Sequence, residues 1–200
     1  MKYKRLVIRS YARSASNFIV HNTLAIDNEI PVEKSYWGDI DKQKVDQVLI
    51  SVLRDPKEAI ISDLSMSLGD NFLDNNSSPE IYFDSSINNF KKYLELLNNN
   101  IDKIFPFTFD QIIKDPKTNF SIFLSACGYK KDFIFPNVKI NKRMVNNKNS
   151  NEKQLFLPTS KNLQIYKHII NNNDIDSIFL SLQNDYNITL SNIYKRQLDF

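Results

Sequence analysis

The sequence is poor in the residues that make covalent and metal cross-links. Its 200 residues include one cysteine, Cys127, and two histidines, His21 and His168. A single thiol excludes an internal disulfide framework and a multi-cysteine zinc site, and two imidazoles argue against a histidine-rich metal centre. A chain of this length buries roughly 70% of the surface of its unfolded form, so it needs no such cross-link.

Long apolar runs and a strong charge imbalance are also missing. No apolar stretch approaches the roughly 18 residues of a spanning helix. The basic start MKYKRLVIRS has too short an apolar run for a signal peptide and no cleavage site after it. The net charge of +3 is too small to indicate nucleic-acid binding. We therefore predict a cytoplasmic protein with no membrane span and no nucleic-acid partner.

The remaining composition is that of an ordinary globular domain. Hydrophobic residues make up 42% and charged residues 24%, which argues against wholesale disorder. We find no internal repeat and no convincing boundary, so we predict one domain over residues 1–200. The part from 155 to 200 has helical stripes, including Leu163 and Tyr166, between Asn-rich breaks.

Strand patterns alternate with helix patterns along the chain. Four apolar segments predict strands, at residues 5–11, 30–37, 47–53 and 103–109. Helical patterns follow at 18–26, after Pro56, over about 85–100 and after Pro116, whereas 69–84 and 141–154 are typical of loops or lids. This alternation predicts an α/β fold with a parallel sheet and helices on both of its faces.

Two of these helices have clear start signals. Asp55 before Pro56 is typical of an N-cap, and Glu58 has the spacing of a capping box. Asp115 precedes a proline in the same way, and Gly128 is the expected end of that last helix. The proline in FPF, at 105–107, favours an edge strand or a bulge.

The first candidate site is the turn ARSASN at 12–17, between a predicted strand and helix. Ligands of open parallel sheets bind beyond the carboxyl ends of the strands. The N–H groups of a helix N-terminus attract anions, and Arg13, Ser14 and Ser16 add donors. The turn therefore favours phosphate binding. It lacks the G-x-x-x-x-G-K-[ST] pattern, which disfavours ATP or GTP hydrolysis.

The second candidate site follows the most apolar predicted strand. Arg54 stands at the end of that strand, and Ser62 follows eight residues later, about two helical turns away. Ser62 can therefore offer its hydroxyl to the same anion as Arg54.

Together the two sites resemble the sulfotransferases that use 3′-phosphoadenosine 5′-phosphosulfate (PAPS). The turn ARSASN is similar to the family's 5′-phosphosulfate loop. LRDPKEAIIS, at 53–62, is similar to the 3′-phosphate site, an Arg that ends a strand with Ser eight positions later. FTFDQIIKDP, at 107–116, resembles a structural strand-to-helix segment of the family. The matches keep the family's order over about residues 5–128 and imply a P-loop-like sulfotransferase fold.

The resemblance implies in-line transfer of a sulfuryl group to a hydroxyl or amine, with no metal. Arg13 would neutralise the leaving group at the bridging oxygen, and Ser14, Ser16 and Asn17 would hold the 5′-phosphate. Ala15 belongs to the same cofactor-binding loop and stands where the family usually has glycine. We therefore expect a loop that is less free to adopt positive φ.

At the other end of the nucleotide, the resemblance assigns Arg54 and Ser62 to the 3′-phosphate. Lys142 and Arg143 are candidates for the basic C-terminal segment that helps to hold this phosphate. Each of these residues also has a structural interpretation. Arg54 can simply form an ion pair with a neighbouring carboxylate, and Lys142 and Arg143 can belong to a solvated basic stretch.

A base must take the acceptor's proton, and the sequence offers two candidates whose resemblance to the family is weaker than that of the phosphate sites. Glu33, in the segment EKSYW at 33–37, resembles the E-K-S segment of heparan-type sulfotransferases and is our first choice. His21 is the second choice, and a third alternative is that neither acts. Tyr36 stands where another branch of the family has histidine.

Other functions stay open at this point. A kinase of related fold needs a lysine-bearing phosphate loop and a metal-binding aspartate, which we do not recognise. A nucleotide- or anion-binding protein of the same fold without turnover is kept open by Ala15 and by the unclear base. We expect a carbohydrate or small-molecule acceptor, in a pocket that is either minimal or completed by another subunit of a homo-oligomer.

Overall fold

A computed structural model describes most of the chain. The described residues are 2–11, 14–67, 79–136, 138 and 175–200. Several predictions lie outside them, namely those for Ala12, Arg13, Lys142, Arg143 and the helical stripe that begins at Leu163.

The described chain contains the following strands and helices. The strands are β1 (Arg5–Ile8), β2 (Val32–Lys34), β3 (Gln47–Leu53) and β4 (Phe105–Thr108). The helices are α1 (Ser16–Ile26), α2 (Pro56–Ser67), α3 (Pro79–Asn99), α4 (Phe109–Lys114), α5 (Pro116–Ala126) and α6 (Ile175–Gln197). Short 3-10 turns lie at Trp37–Asp39 and Ile101–Lys103.

The strands form one all-parallel sheet in the order β2-β1-β3-β4. Val7 of β1 lies opposite Glu33 on one side and Leu49 on the other. In the outer pair, Val52 of β3 lies opposite Phe107 of β4. The predicted α/β fold with a parallel sheet is confirmed.

Apolar side chains cover both faces of this sheet. On one face, Val7 and Leu49 belong to a core that includes residues of α2, α3 and α6. On the other, Leu6 and Ile50 belong to a core with α1, α4 and α5. Burial on both sides explains why β3 appears in the sequence as a continuous apolar run rather than an alternating one.

β1 ends at Ile8, earlier than its apolar pattern predicts. The reason is that the Ser10 side chain accepts a hydrogen bond that a backbone oxygen would accept if the strand continued. Arg9 N still donates to Ile50 O at 2.9 Å, as in a regular ladder. At the next position on β3, however, Val52 N donates to Ser10 Oγ at 2.8 Å. The backbone is thus free to leave the sheet before the candidate loop.

α3 starts earlier than its sequence pattern predicts. Its first residue is Pro79, so the last part of the predicted 69–84 loop is helical. Phe83 and Ile87, which are 2% and 6% exposed, extend the apolar stripe by one turn toward the N-terminus. The segment 69–84 was predicted to be a loop because it is rich in Asn, Asp and Ser. The rest of that predicted loop, 69–78, lies outside the described residues.

The predicted caps are present, with one change. Asp55 Oδ1 accepts a hydrogen bond from Glu58 N at 3.1 Å, and Asp115 Oδ1 accepts one from Thr118 N at 3.4 Å. The Glu58 carboxylate, however, bonds to Arg54 instead of closing a capping box. The chain makes a reciprocal capping box at the start of α4 instead.

The proline-containing strand β4 is an outer strand of the described sheet, as its sequence favours. α6 runs along it, and Gln197 Nε2 donates to Pro106 O at 2.8 Å. α6 also packs on α3, where Asn98 Nδ2 donates to Thr189 Oγ1 at 2.8 Å. Of the helices in the described ranges, none is long and apolar enough to cross a bilayer.

Candidate functional site

The candidate site lies at the carboxyl ends of the two central strands. β1 and β3 are neighbours in the sheet. The chain leaves β1 into α1 on one face, and it leaves β3 into α2 on the opposite face. Such a switch in direction opens a crevice between the two strand ends, which is where open α/β sheets bind ligands. We call this place the β1/β3 crevice.

At the β1 end, the loop leads into a helix that no side chain caps. Ala15 is the N-cap residue of α1, and its φ of 60° and ψ of 8° place it in the left-handed region. Ala15 therefore adopts the positive φ that its methyl group disfavours, at a cost of about 1–2 kcal/mol. The uncapped start leaves the first N–H groups of α1 without the side-chain acceptor that helices commonly have.

Ser14 has an unusual environment in this loop. The residue is fully buried. Its Oγ has no hydrogen-bond partner in the described part of the chain. A buried hydroxyl without a partner costs about 1–3 kcal/mol, so a ligand oxygen that satisfied it would gain that amount. The observed geometry thus fits an anion with oxygen acceptors.

Lys34 approaches the same loop from β2, although no sequence pattern singled it out. Its Nζ donates to Asn17 Oδ1 at 2.5 Å, across the start of α1. Lys34 is the last residue of β2, and β2 borders β1. Its position at a strand end next to the candidate loop was the available signal. The contact adds a cation to this end of the crevice and engages the side chain of Asn17.

At the β3 end, Arg54 lies between an acidic and an aromatic side chain. Its Nε donates to Glu58 Oε2 at 3.0 Å, and its guanidinium carbon lies 4.5 Å from the centre of the Phe109 ring. The predicted structural alternative, an ion pair with a neighbouring carboxylate, is therefore present. The Glu58 side chain is 60% exposed, and such a pair contributes at most about 1 kcal/mol.

Ser62 lies on the same side of α2 as this ion pair. Glu58 and Ser62 are four residues apart and therefore share one face of the helix. Ser62 is buried, with 5% of its surface exposed. Arg54, Glu58 and Ser62 thus follow one another along a line from the end of β3 into α2.

The two candidate bases lie away from this line. Glu33 accepts a hydrogen bond from Arg5 Nη1 at 2.9 Å, and both side chains are 42% exposed. Glu33 lies opposite Val7, two residues beyond Arg5, so the pair draws the carboxylate toward the amino end of the sheet. His21 is exposed on α1, whose buried side carries Ile19. No contact in the described chain joins either residue to the crevice.

Several buried or partly buried side chains pack next to the β1 end of the crevice, on the face of the sheet that α3 covers. Trp37 packs against Tyr11 and Tyr93, which agrees with a place in the core rim. Arg9 is 7% exposed and donates through Nη1 to the backbone oxygen of Asp39. Burial and the Asp63 carboxylate raise the pKa of the Tyr11 phenol well above its usual range, which keeps its proton in place.

The lone thiol is far from this chemistry. Cys127 is 1% exposed and lies in the core that contains Leu6 and Ile50. Burial raises the pKa of its thiol to about 12. Cys127 is therefore protonated at neutral pH and unsuited to act as a nucleophile.

Comparisons with known proteins identify the fold. No protein-family model matches the sequence, and no curated protein matches it. Among solved structures, the chain is similar to that of mouse sulfotransferase SULT7A1 complexed with PAP, with a TM-score of 0.50 and 9% identity. The similarity covers 65% of this chain and 61% of the mouse chain. At this identity the likeness concerns architecture alone, and it confirms the predicted one: the protein has a sulfotransferase-like α/β fold.

Proposed function

We propose that this protein is a sulfotransferase that moves a sulfuryl group from PAPS to the hydroxyl or amine of a carbohydrate or small molecule. One observation carries the proposal. The two sequences that resemble the family's phosphate sites flank the β1/β3 crevice, one at each strand end. PAP, the nucleotide product of PAPS, has phosphates at its 3′ and 5′ positions, so two neighbouring anion sites suit it.

The residues of the β1 end fit the 5′-phosphate. The uncapped start of α1 offers N–H groups, and the buried Ser14 hydroxyl lacks a partner in the described chain. Ser16 and Asn17 lie in the first turn of α1, where both can face the same anion. In our proposal Arg13, outside the described residues, neutralises the bridging oxygen, and Lys34 adds charge beside Asn17.

The residues of the β3 end fit the 3′-phosphate. The Arg54 side chain is 21% exposed, and the partial shielding from water strengthens its attraction for an anion. A doubly charged phosphate would displace Glu58, which is exposed and can return to solvent. Ser62 supplies a hydroxyl, and Lys142 and Arg143, outside the described residues, are proposed to close this site from the C-terminal part.

When bound, PAPS supplies a sulfuryl group that an acceptor oxygen or nitrogen attacks in line, with the 5′-phosphate leaving. The residues of the chain hold the two phosphates, exclude water and neutralise charge at the leaving side, which is the usual source of catalysis in such transfers. A base must take the acceptor's proton. We keep Glu33 as the first candidate, which requires its carboxylate to exchange Arg5 for the acceptor, and His21 as the second.

A second candidate function is nucleotide binding without turnover. The observation that favours it is the position of the two candidate bases. Glu33 is paired with Arg5, and His21 is on the exposed side of α1. A protein of this kind would bind PAP at both crevice ends but would not transfer sulfate.

The binding part of the proposal is tested by calorimetry with PAP and with AMP, which lacks the 3′-phosphate. We expect PAP to bind more tightly, and Arg54→Ala to weaken PAP roughly 10- to 100-fold while AMP changes little, because a charge-assisted hydrogen-bond donor is lost. Glu58→Gln is the matched control. It removes the same ion pair but keeps Arg54, so PAP affinity should hold or increase.

Two results would contradict this proposal. One is equal affinity for PAP and AMP, or none for either. The other is a similar loss of PAP affinity in Arg54→Ala and Glu58→Gln, which would show that Arg54 acts only through its ion pair with Glu58.

Turnover of labelled PAPS over a panel of carbohydrates, alcohols and amines then separates an enzyme from a binding protein. Full turnover in Glu33→Ala would exclude Glu33 as the base.

A further inference from the structure

Tyr11 connects the candidate loop at the β1 end to the helices on one face of the sheet. It lies between β1 and the loop, only 1% exposed. Its hydroxyl lies 3.0 Å from Asp63 Oδ2 in α2 and 3.1 Å from Ser86 O in α3, both of which accept hydrogen bonds. The single hydroxyl of Tyr11 thus contacts two residues that lie 52 and 75 positions further along the sequence.

The partner Asp63 is the immediate neighbour of Ser62, which we propose at the 3′-phosphate. Tyr11 itself stands two residues before Arg13 and three before Ser14. One hydrogen bond therefore joins the segment that carries the 5′-phosphate donors to the helix that carries a 3′-phosphate donor.

A second buried tyrosine supports the first. The Tyr93 hydroxyl donates to Val52 O at 3.0 Å and lies 2.9 Å from Ser51 Oγ. Val52 stands two residues before Arg54, at the end of β3. The rings of Tyr11 and Tyr93 are 5.8 Å apart, and that of Phe90 meets Tyr11 edge-on at 5.0 Å. The two tyrosines therefore pack against each other next to both strand ends.

We infer that Tyr11 is a positioning residue that sets the spacing between the two ends of the β1/β3 crevice, and thereby selects nucleotides with phosphates at both 3′ and 5′ positions. This inference rests on the proposed function. A ligand with two anchors binds tightly only when both sites are held at its own phosphate spacing. A ligand with one phosphate is insensitive to that spacing.

The selectivity ratio, the Kd for AMP divided by the Kd for PAP, therefore measures the role of Tyr11. In Tyr11→Phe the ring packing is kept and the bonds to Asp63 and Ser86 are lost. We expect the Kd for PAP to rise about tenfold, as for loss of a hydrogen bond to a charged group, and the Kd for AMP to change less than twofold. Both are measured by calorimetry on the full chain.

Tyr3→Phe is the matched control. Tyr3 is also buried, at 6% exposure, and its hydroxyl donates to an aspartate, Asp27, at 3.2 Å. It lies before β1, at the opposite end of the strand from the crevice. The same chemical change there should leave the selectivity ratio unaltered.

Tyr93→Phe should lower the selectivity ratio, as Tyr11→Phe does. It replaces Tyr11→Phe as the test variant if a urea titration shows that Tyr11→Phe does not fold.

The outcomes separate this inference from the proposed function. A wild-type ratio near one overturns the proposed function, and the role of Tyr11 with it. A wild-type preference for PAP that survives in Tyr11→Phe overturns the role of Tyr11 alone. Equal weakening of PAP and AMP also overturns it, because Tyr11 would then shape only the loop at the 5′-phosphate.

Discussion

The two ends of the β1/β3 crevice are built in opposite ways. α1 begins without a side-chain cap, behind a left-handed Ala15 and a buried Ser14. α2 begins with Asp55, whose carboxylate already accepts a bond from the backbone of its first turn. A free helix start can bind an anion with backbone donors, whereas a capped start has to use side chains. The proposed 5′ site therefore uses backbone N–H groups together with the Ser14 hydroxyl, whereas the proposed 3′ site uses side chains, mainly that of Arg54.

Among changes at the two helix starts, the largest expected effect comes from Ser14→Ala at the uncapped end. Because the buried Ser14 hydroxyl has no partner among the described residues, the free energy of unfolding without ligand should stay equal or rise by up to about 1 kcal/mol. PAP affinity should fall about tenfold if Ser14 is the proposed donor to the 5′-phosphate. Urea unfolding and calorimetry measure the two quantities.

Ser10→Ala is the control for that change. Ser10 Oγ accepts from Val52 N, so its loss should cost about 1–2 kcal/mol of stability. If Ser14→Ala destabilises the ligand-free protein as much as Ser10→Ala does, then Ser14 is a structural residue and the contrast between the two crevice ends fails.

A smaller effect is expected at the capped end. Asp55→Ala removes the N-cap of α2 and should lower the free energy of unfolding by about 1 kcal/mol. The Kd for PAP should change less than about threefold, because the α2 backbone is not among the proposed phosphate donors. Asp115→Ala, at the corresponding cap of α5, is the control and should lose similar stability. A strong loss of PAP binding in Asp55→Ala alone would show that α2 uses its N-terminus after all.

The smallest effect concerns the strained alanine. Ala15→Gly relieves the left-handed conformation but adds freedom to the unfolded chain, so a net gain of at most about 1 kcal/mol is expected. Gly128→Ala is the mirror control. Gly128 has a φ of +92° with open space around it, so the added methyl group should cost about 1 kcal/mol. A loss of stability in Ala15→Gly would mean that tertiary contacts of the methyl group outweigh its strain.

Local chemistry made part of this fold predictable. β3 was predicted to the residue, at 47–53, because burial on both faces leaves a continuous apolar run. The starts of α2 and α5 follow from an aspartate before a proline, a signal contained in a few adjacent residues. The end of β1 was not predictable in this way, because it depends on a bond between Ser10 and Val52 across the sheet.

In the candidate site, too, residues with local sequence signals were predictable, whereas contacts between distant residues were not. Arg54 and Ser62 were found by their spacing, and the sulfotransferase-like fold agrees with the resemblance that includes them. Their assignment to phosphates, with that of Ser14, Ala15, Ser16 and Asn17, stays a prediction. Lys34 was missed because its contact with Asn17 joins two strand ends, and Tyr11 because its partner lies 52 positions away.

The order of residues alone predicted the candidate anion sites, since strand ends, helix starts and basic residues are local features of the sequence. Only the tertiary structure decided which of those features become neighbours and which are already engaged. Glu33 is held by Arg5, and Ser14 is buried with its hydroxyl unpaired in the described chain, because the register of β2 on β1 and the turn at Ala15 place them so. Such pairings depend on how all the strands and helices pack together, so they cannot be predicted from a short stretch of sequence.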